Sequence, residues 1–145
     1  MEKRRRSVMM AIGRTRRAWE MYCRSVASEL GILESYRMVL FFLARRPGAN
    51  QKEIAEFANV TTAAVNQTLK DMVAEGYVRK ETDENDRRHT RNYLTEKGEK
   101  TGHALREKLY AADEVIREAI SPEKEEEIMD LLDKIHECIR RELSS

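Results

Sequence analysis

Cysteine, proline and long apolar runs are scarce in this chain of 145 residues, and each shortage closes off a class of protein. Only Cys23 and Cys138 occur, far apart, so neither a disulfide framework nor a zinc knuckle has its spacing. A reducing cytoplasm is the expected compartment. No stretch approaches the roughly 18 consecutive apolar residues of a membrane span. The first six residues are basic, but Arg14, Arg16 and Arg17 interrupt the apolar residues after them, so a secretion leader is not expected. His89, His103 and His136 are scattered, so neither metal nor cofactor is expected. No nucleophile, base and orienting acid fall together, which argues against an enzyme.

Charge of one sign is also lacking, since 27 basic residues face 26 acidic ones. Its distribution is uneven. Residues 1–46 hold 11 Lys/Arg against 4 Asp/Glu, residues 47–95 hold 7 against 8, and residues 96–145 hold 9 against 14. A basic first third and an acidic last third attract each other within one subunit or between two.

What is present is helical periodicity. Val8, Ile12, Thr15, Trp19, Tyr22, Val26 and Leu30 recur at steps of three or four, and Gly31 supplies a left-handed stop. A second helix is expected from Glu34 or Ser35 to Arg45, apolar nearly all round and therefore central, with Pro47-Gly48 ending it. Asn50-Gln51-Lys52-Glu53 has the form of a capping box opening a third helix. Asn59-Val60 makes a turn, and Thr61 caps a fourth helix from Thr62 to Glu75 that Gly76 ends. Tyr77 to Leu94 then reads as two short strands around a charged tip, with Thr95 capping a long helix that Ser121-Pro122 breaks into a last one.

Two short helices joined by a tight turn and followed by a hairpin form a winged helix-turn-helix, whose second helix suits a major groove. On that helix Val65, Leu69, Met72 and Val73 share the apolar face. Thr61, Thr62, Ala63, Asn66, Gln67 and Lys70 share the other, with hydroxyls and amides able to contact phosphates or base edges. At the wing, Arg87 and Arg88 emerge beside Asp86, which can aim the Arg88 guanidinium into a narrow minor groove. From these residues alone, a solvated helix and a self-neutralising hairpin remain open readings.

From about Ile32 to Gly98 the chain resembles the MarR family of transcription regulators. The resemblance rests on Asn50-Gln51-Lys52-Glu53-Ile54-Ala55, on Gly76-Tyr77-Val78-Arg79-Lys80, and above all on Asp86-Arg87-Arg88 followed by Leu94-Thr95-Glu96-Lys97-Gly98. It implies that Arg88 enters the minor groove, Asp86 positions it, Arg87 contacts phosphate, and residues 61–70 read the major groove. The chain departs from the family pattern at Gln67, where a basic residue is usual, and at Leu33, where a threonine is usual.

The expected fold is mainly α with a small β-hairpin wing (α+β): a winged helix-turn-helix core over 32–98, flanked by long N- and C-terminal dimerisation helices over 1–31 and 99–145, in one domain. Unpartnered apolar faces on the flanking helices, together with the resemblance, point to a homodimer on pseudo-palindromic double-stranded DNA. The expected function is a dimeric repressor released by a small molecule. Arg16, Trp19, Tyr22 and Tyr36 are candidates for a small aromatic or anionic effector, although aromatics filling the core explain the same pattern. Two other readings compete: a winged-helix module docking protein, and a thiol-based redox sensor at Cys23.

Overall fold

The computed structural model describes residues 6–86 and 89–144. In order come α1 (Val8–Glu29), α2 (Tyr36–Arg45), α3 (Gln51–Ala58), α4 (Thr62–Ala74), β1 (Val78–Thr82), β2 (Thr90–Leu94), α5 (Glu96–Ile120) and α6 (Pro122–Leu143). The chain forms two compact units, Met1–Glu107 and Lys108–Ser145. No helix among the described residues is long and apolar enough to cross a membrane.

Local chemistry sets most of the element ends. The Ser7 hydroxyl accepts from Met10 N at 3.3 Å to start α1, and Gly31 (φ 70°) follows its end. The α3 capping box closes both ways, Glu53 N to Asn50 Oδ1 at 2.9 Å and Asn50 N to Glu53 Oε2 at 3.0 Å. Each such cap contributes about 1 kcal/mol. The start of α2 differs from expectation. Ser35 makes no side-chain cap, and Glu34 turns to Arg37 instead, accepting from its Nε at 2.7 Å. Two residues of turn precede the helix, which opens at Tyr36.

In the first unit α2, α3 and α4 pack on one another, with the hairpin against α2 and α4. Leu40 and Leu43 from α2, Ile54 from α3, Leu69 and Met72 from α4 and Leu105 from α5 are all buried. Each such side chain contributes about 1.5–3 kcal/mol by leaving water. Tyr36 belongs to this core and is fully buried. Its hydroxyl donates to Glu75 Oε1 at 2.8 Å, and its ring meets Tyr77 edge-on at 5.7 Å. Burial first, then the Glu75 bond, push its pKa well above the tyrosine range. The stabilisation from neutral Tyr36 is therefore complete below the unfolded value near 10 and lost as pH rises beyond it. Tyr36→Phe is expected to cost about 1 kcal/mol in urea unfolding, because water can still solvate Glu75. A loss near zero would mean that the bond does not hold the start of α2 to the end of α4.

The strands pair antiparallel in the register Val78↔Leu94 through Thr82↔Thr90. Asn92 ties the hairpin root to the loop before α3. Asn92 N and Nδ2 both donate to Ala49 O, at 3.1 and 2.9 Å, and Asn92 O accepts from Gly48 N at 2.8 Å. The side chain is buried with its Nδ2 paired, while its Oδ1 has no hydrogen-bond partner among the described residues.

The Leu94-Thr95-Glu96-Lys97-Gly98 segment fastens the end of α4 to the start of α5. Thr95 N donates to Tyr77 O at 3.0 Å, and Thr95 Oγ1 donates to Gly76 O at 2.5 Å while accepting from Gly98 N at 3.1 Å. Lys97 Nζ reaches Glu75 O at 2.7 Å and lies 4.2 Å from the centre of the Tyr77 ring. Gly98 passes so close to the Tyr77 carbonyl that a β-carbon there would overlap its oxygen.

The second unit holds the end of α5 and all of α6, with Ser121 at positive φ (70°) between them and Pro122 opening α6. Arg117 pairs with Asp113, Glu114 and Glu125 at 3.1, 2.8 and 3.1 Å. The α6 helix buries nothing, and Met129, Leu131, Leu132, Ile139 and Leu143 lie exposed along it.

Candidate nucleic-acid interface

The turn between α3 and α4 is made possible by Asn59, which takes the left-handed conformation (φ 53°, ψ 47°) that asparagine tolerates better than other side chains with a β-carbon. Thr61 then caps α4, its hydroxyl accepting from Ala64 N at 3.1 Å. Because Val65, Leu69 and Met72 are committed to the core, the opposite side of α4 is turned outward. Thr61, Thr62, Ala63, Gln67 and Lys70 are exposed there and Asn66 is half-buried. All six residues singled out in the sequence share this one continuous face.

Two partners on this face were not legible from residue type. Gln67 Nε2 donates to Asp71 Oδ1 at 3.0 Å, an exposed bond one turn along α4. Asn66 borders a polar recess of about 300 Å³ whose wall also includes Lys52 of α3, Lys80 of β1 and His89. Two lysines from neighbouring elements thus stand beside α4, adding positive charge that the near-neutral middle third conceals. Helical and strand spacing alone could not have brought residues 52, 66 and 80 together.

At the wing, Asp83 organises the turn. Its Oδ1 accepts from Asn85 N at 3.0 Å, its Oδ2 from Arg91 Nη2 at 3.3 Å, and its own N–H bonds His89 O at 3.0 Å. The Asn85 amide first, and Arg91 next, hold the Asp83 carboxyl below its usual range. Asp86 is half-exposed, with its carboxylate 3.4 Å from His89 Nε2 and its carbonyl accepting from His89 N at 3.0 Å. Arg87 and Arg88 lie outside the described residues.

Of the residues expected at an effector site, Arg16, Trp19 and Tyr22 lie on α1 and Tyr36 is buried in the core of the first unit. Trp19 and Tyr22 stack at 5.7 Å on α1, and Arg16 pairs with Glu20 at 2.8 Å on its exposed surface. Tyr36 is buried against Tyr77, and among the described residues no ring contact joins it to the α1 pair. Cys23 is fully buried, and burial raises its thiol pKa, which suppresses the reactive thiolate. In a Cys138→Ser background, Cys23 is expected to resist a thiol reagent at pH 8 until the chain unfolds. Rapid labelling of the native protein would restore the redox reading.

A polar-faced second helix beside an antiparallel hairpin defines a winged helix-turn-helix regulator. Residues 30–89 match the model of the MarR family, whose members are transcription regulators that bind DNA. The HTH-type transcriptional regulator BilQ of Clostridium symbiosum (strain WAL-14163) is 21% identical over 132 residues, covering 87% of this chain and 92% of that protein. A MarR transcriptional regulator from Methanosarcina mazei Go1 has a similar structure, with TM-score 0.79 and 25% identity over 92% of this chain and 96% of that one. The transcriptional repressor CouR, solved bound to a 23-mer DNA duplex, matches with TM-score 0.78 and 21% identity over 90% and 92% of the two chains.

Proposed function

We propose that the protein is a dimeric repressor that sets α4 in the major groove of a pseudo-palindromic operator, sets the wing in the adjacent minor groove, and is released by a small molecule. The observation that carries the reading is the outward face of α4, where Thr61, Thr62, Ala63, Gln67 and Lys70 are exposed and Asn66 is half-buried beside them. Gln67 and Asn66 supply the base-edge chemistry, and the Thr61 and Thr62 hydroxyls with Lys70 supply phosphate contacts. Asp86, Arg87 and Arg88 are the minor-groove part, by the motif they form with Leu94-Thr95. The CouR complex supports this use of the fold, since that protein is bound to duplex DNA.

Two copies are supported by the apolar residues exposed along α6, and by Val8, Met9 and Met10, which are exposed at the start of α1. Uncovered apolar surface of this kind marks an interface. A two-fold dimer places its recognition helices about 34 Å apart, one turn of DNA. The test is selection of bound fragments from a random duplex pool by the full chain, followed by footprinting. Two inverted half-sites about ten base pairs apart are expected. Recovery of unrelated sequences with no protected site, at both low and moderate salt, would sink the proposal. Partners that survive nuclease treatment would instead favour the protein-docking reading.

A further inference from the structure

The polar recess beside α4 takes its wall from elements far apart in sequence. Lys52 comes from the first turn of α3, Asn66 from α4, Lys80 from β1 and Asn92 from β2, with His89 just ahead of that strand. The described residues that line it include no acid. Lys52 and Lys80 are both exposed, and among the described residues neither ammonium has a hydrogen-bond or ion-pair partner. The acids next to them in sequence are engaged elsewhere, Glu53 with the Asn50 amide and Glu81 with Arg79.

Asn92 sets the spacing of the two lysines. It stands opposite Lys80 in the ladder, and its bonds to Ala49 O hold the segment leading into α3 against β2. Lys52, shortly after Ala49, is thereby kept beside Lys80. Asn92 Oδ1 is buried without a hydrogen-bond partner among the described residues, and as an acceptor it repels an anion from the floor of the recess. The rim is different. There His89 joins the lysines, exposed and with its Nε2 3.4 Å from Asp86 Oδ2. Imidazole changes charge between about pH 5 and 8, and once protonated it donates from both nitrogens. One N–H then keeps Asp86 and leaves the second for a guest. The Asp86 carboxylate favours that proton, while Lys52 and Lys80 oppose it until an anion lies among them. Asp83, whose N–H bonds His89 O, keeps its carboxylate on Arg91.

We propose that this rim seats a single phosphate of the DNA backbone, shared by Lys52, Lys80 and a protonated His89, where the strand passes between the groove read by α4 and the groove entered by the wing. Ammonium groups act as point charges and lack the planar fork that reads a base edge, so phosphate is the matching chemistry. Exposed cations hold a free anion weakly, but DNA already engaged by α4 and the wing delivers its phosphate at a high effective concentration. The placement rests on the docking proposed above. It couples operator binding to pH, because the phosphate favours the imidazolium. The added affinity is present at low pH and lost as pH rises through the histidine range.

The test uses the full chain and an operator recovered by selection, with single backbone phosphates replaced by neutral methylphosphonates. Fluorescence anisotropy is expected to find one position in each half-site, between the two grooves, where replacement weakens native binding about tenfold. In the double variant Lys52→Gln, Lys80→Gln the same replacement is expected to cost less than about twofold, because the lost charge no longer has its partners. Native affinity is expected to rise at least about fivefold from about pH 8 to 6, and His89→Gln to flatten most of that rise. All three side chains are exposed, so urea unfolding midpoints should not move. A double variant as sensitive as the native protein at every position, no sensitive position between the grooves, or a pH dependence that survives His89→Gln would each overturn the proposal. Those outcomes leave sequence-specific binding intact. Failure of the docking itself shows instead as no selected operator.

Discussion

Replacing Gly98 with alanine is expected to destabilise the protein by about 3 kcal/mol, a fall in melting temperature of about 10 °C for a chain of this length. The added β-carbon meets the Tyr77 carbonyl oxygen, a backbone atom that cannot swing aside as a side chain would. Relief requires the first turn of α5 to back away, and that stretches the Thr95 bonds to Gly76 and Tyr77 and the Lys97 bond to Glu75. Because those bonds hold the end of α4, DNA affinity should fall beyond what the lost folded fraction explains. Thr95→Ala removes part of the same fastening without overlap and should cost about 1 kcal/mol. Calorimetric melting of both variants checks the ordering. Equal, small losses would show that close approach at residue 98 is not what selects glycine there.

The second large effect is expected from Arg88→Ala, which the proposed reading makes the minor-groove contact of each wing. Two subunits lose two such contacts together. Removing two charged contacts should lower the slope of log affinity against log salt by about 1.8 and weaken operator binding at least about a hundredfold at moderate salt. Fluorescence anisotropy at several salt concentrations measures both quantities. Gln67→Ala provides the contrast, since a base-edge contact should change the preferred sequence while leaving the salt slope nearly unchanged. An Arg88 variant with native affinity and slope would take the wing out of DNA binding.

The local grammar of the chain carried much of the architecture. Asn50 and Glu53, Thr61, Thr95 and Pro122 each act within about four residues of themselves, so their helix starts could be placed from spacing alone. What stayed hidden depends on distant neighbours. Tyr36 opens α2, and the partner of its hydroxyl, Glu75, lies 39 positions away. Asn92 sits in a short polar strand and would pass for a surface residue, yet the Ala49 carbonyl 43 positions earlier takes it into the interior. Arg106 is one of many charged residues along α5, and only the geometry reveals that one of its nitrogens lacks an acceptor. Ser35 and Glu34 are both residues that can begin a helix, but the nearby Arg37 competes for Glu34 and wins.

The Asn92 bonds to Gly48 and Ala49 make the hairpin a beam built in at its root, since both the backbone and the side chain of one residue are fastened to the segment ahead of α3. Such a beam does not pivot as a whole about its root. In the proposed docking, the spacing between the wing and α4 is then close to fixed, and a duplex whose grooves are mis-spaced has to bend to meet it. Bending is cheapest at flexible pyrimidine–purine steps. A stiff wing root therefore makes the protein sensitive to the mechanics of base pairs that it never touches.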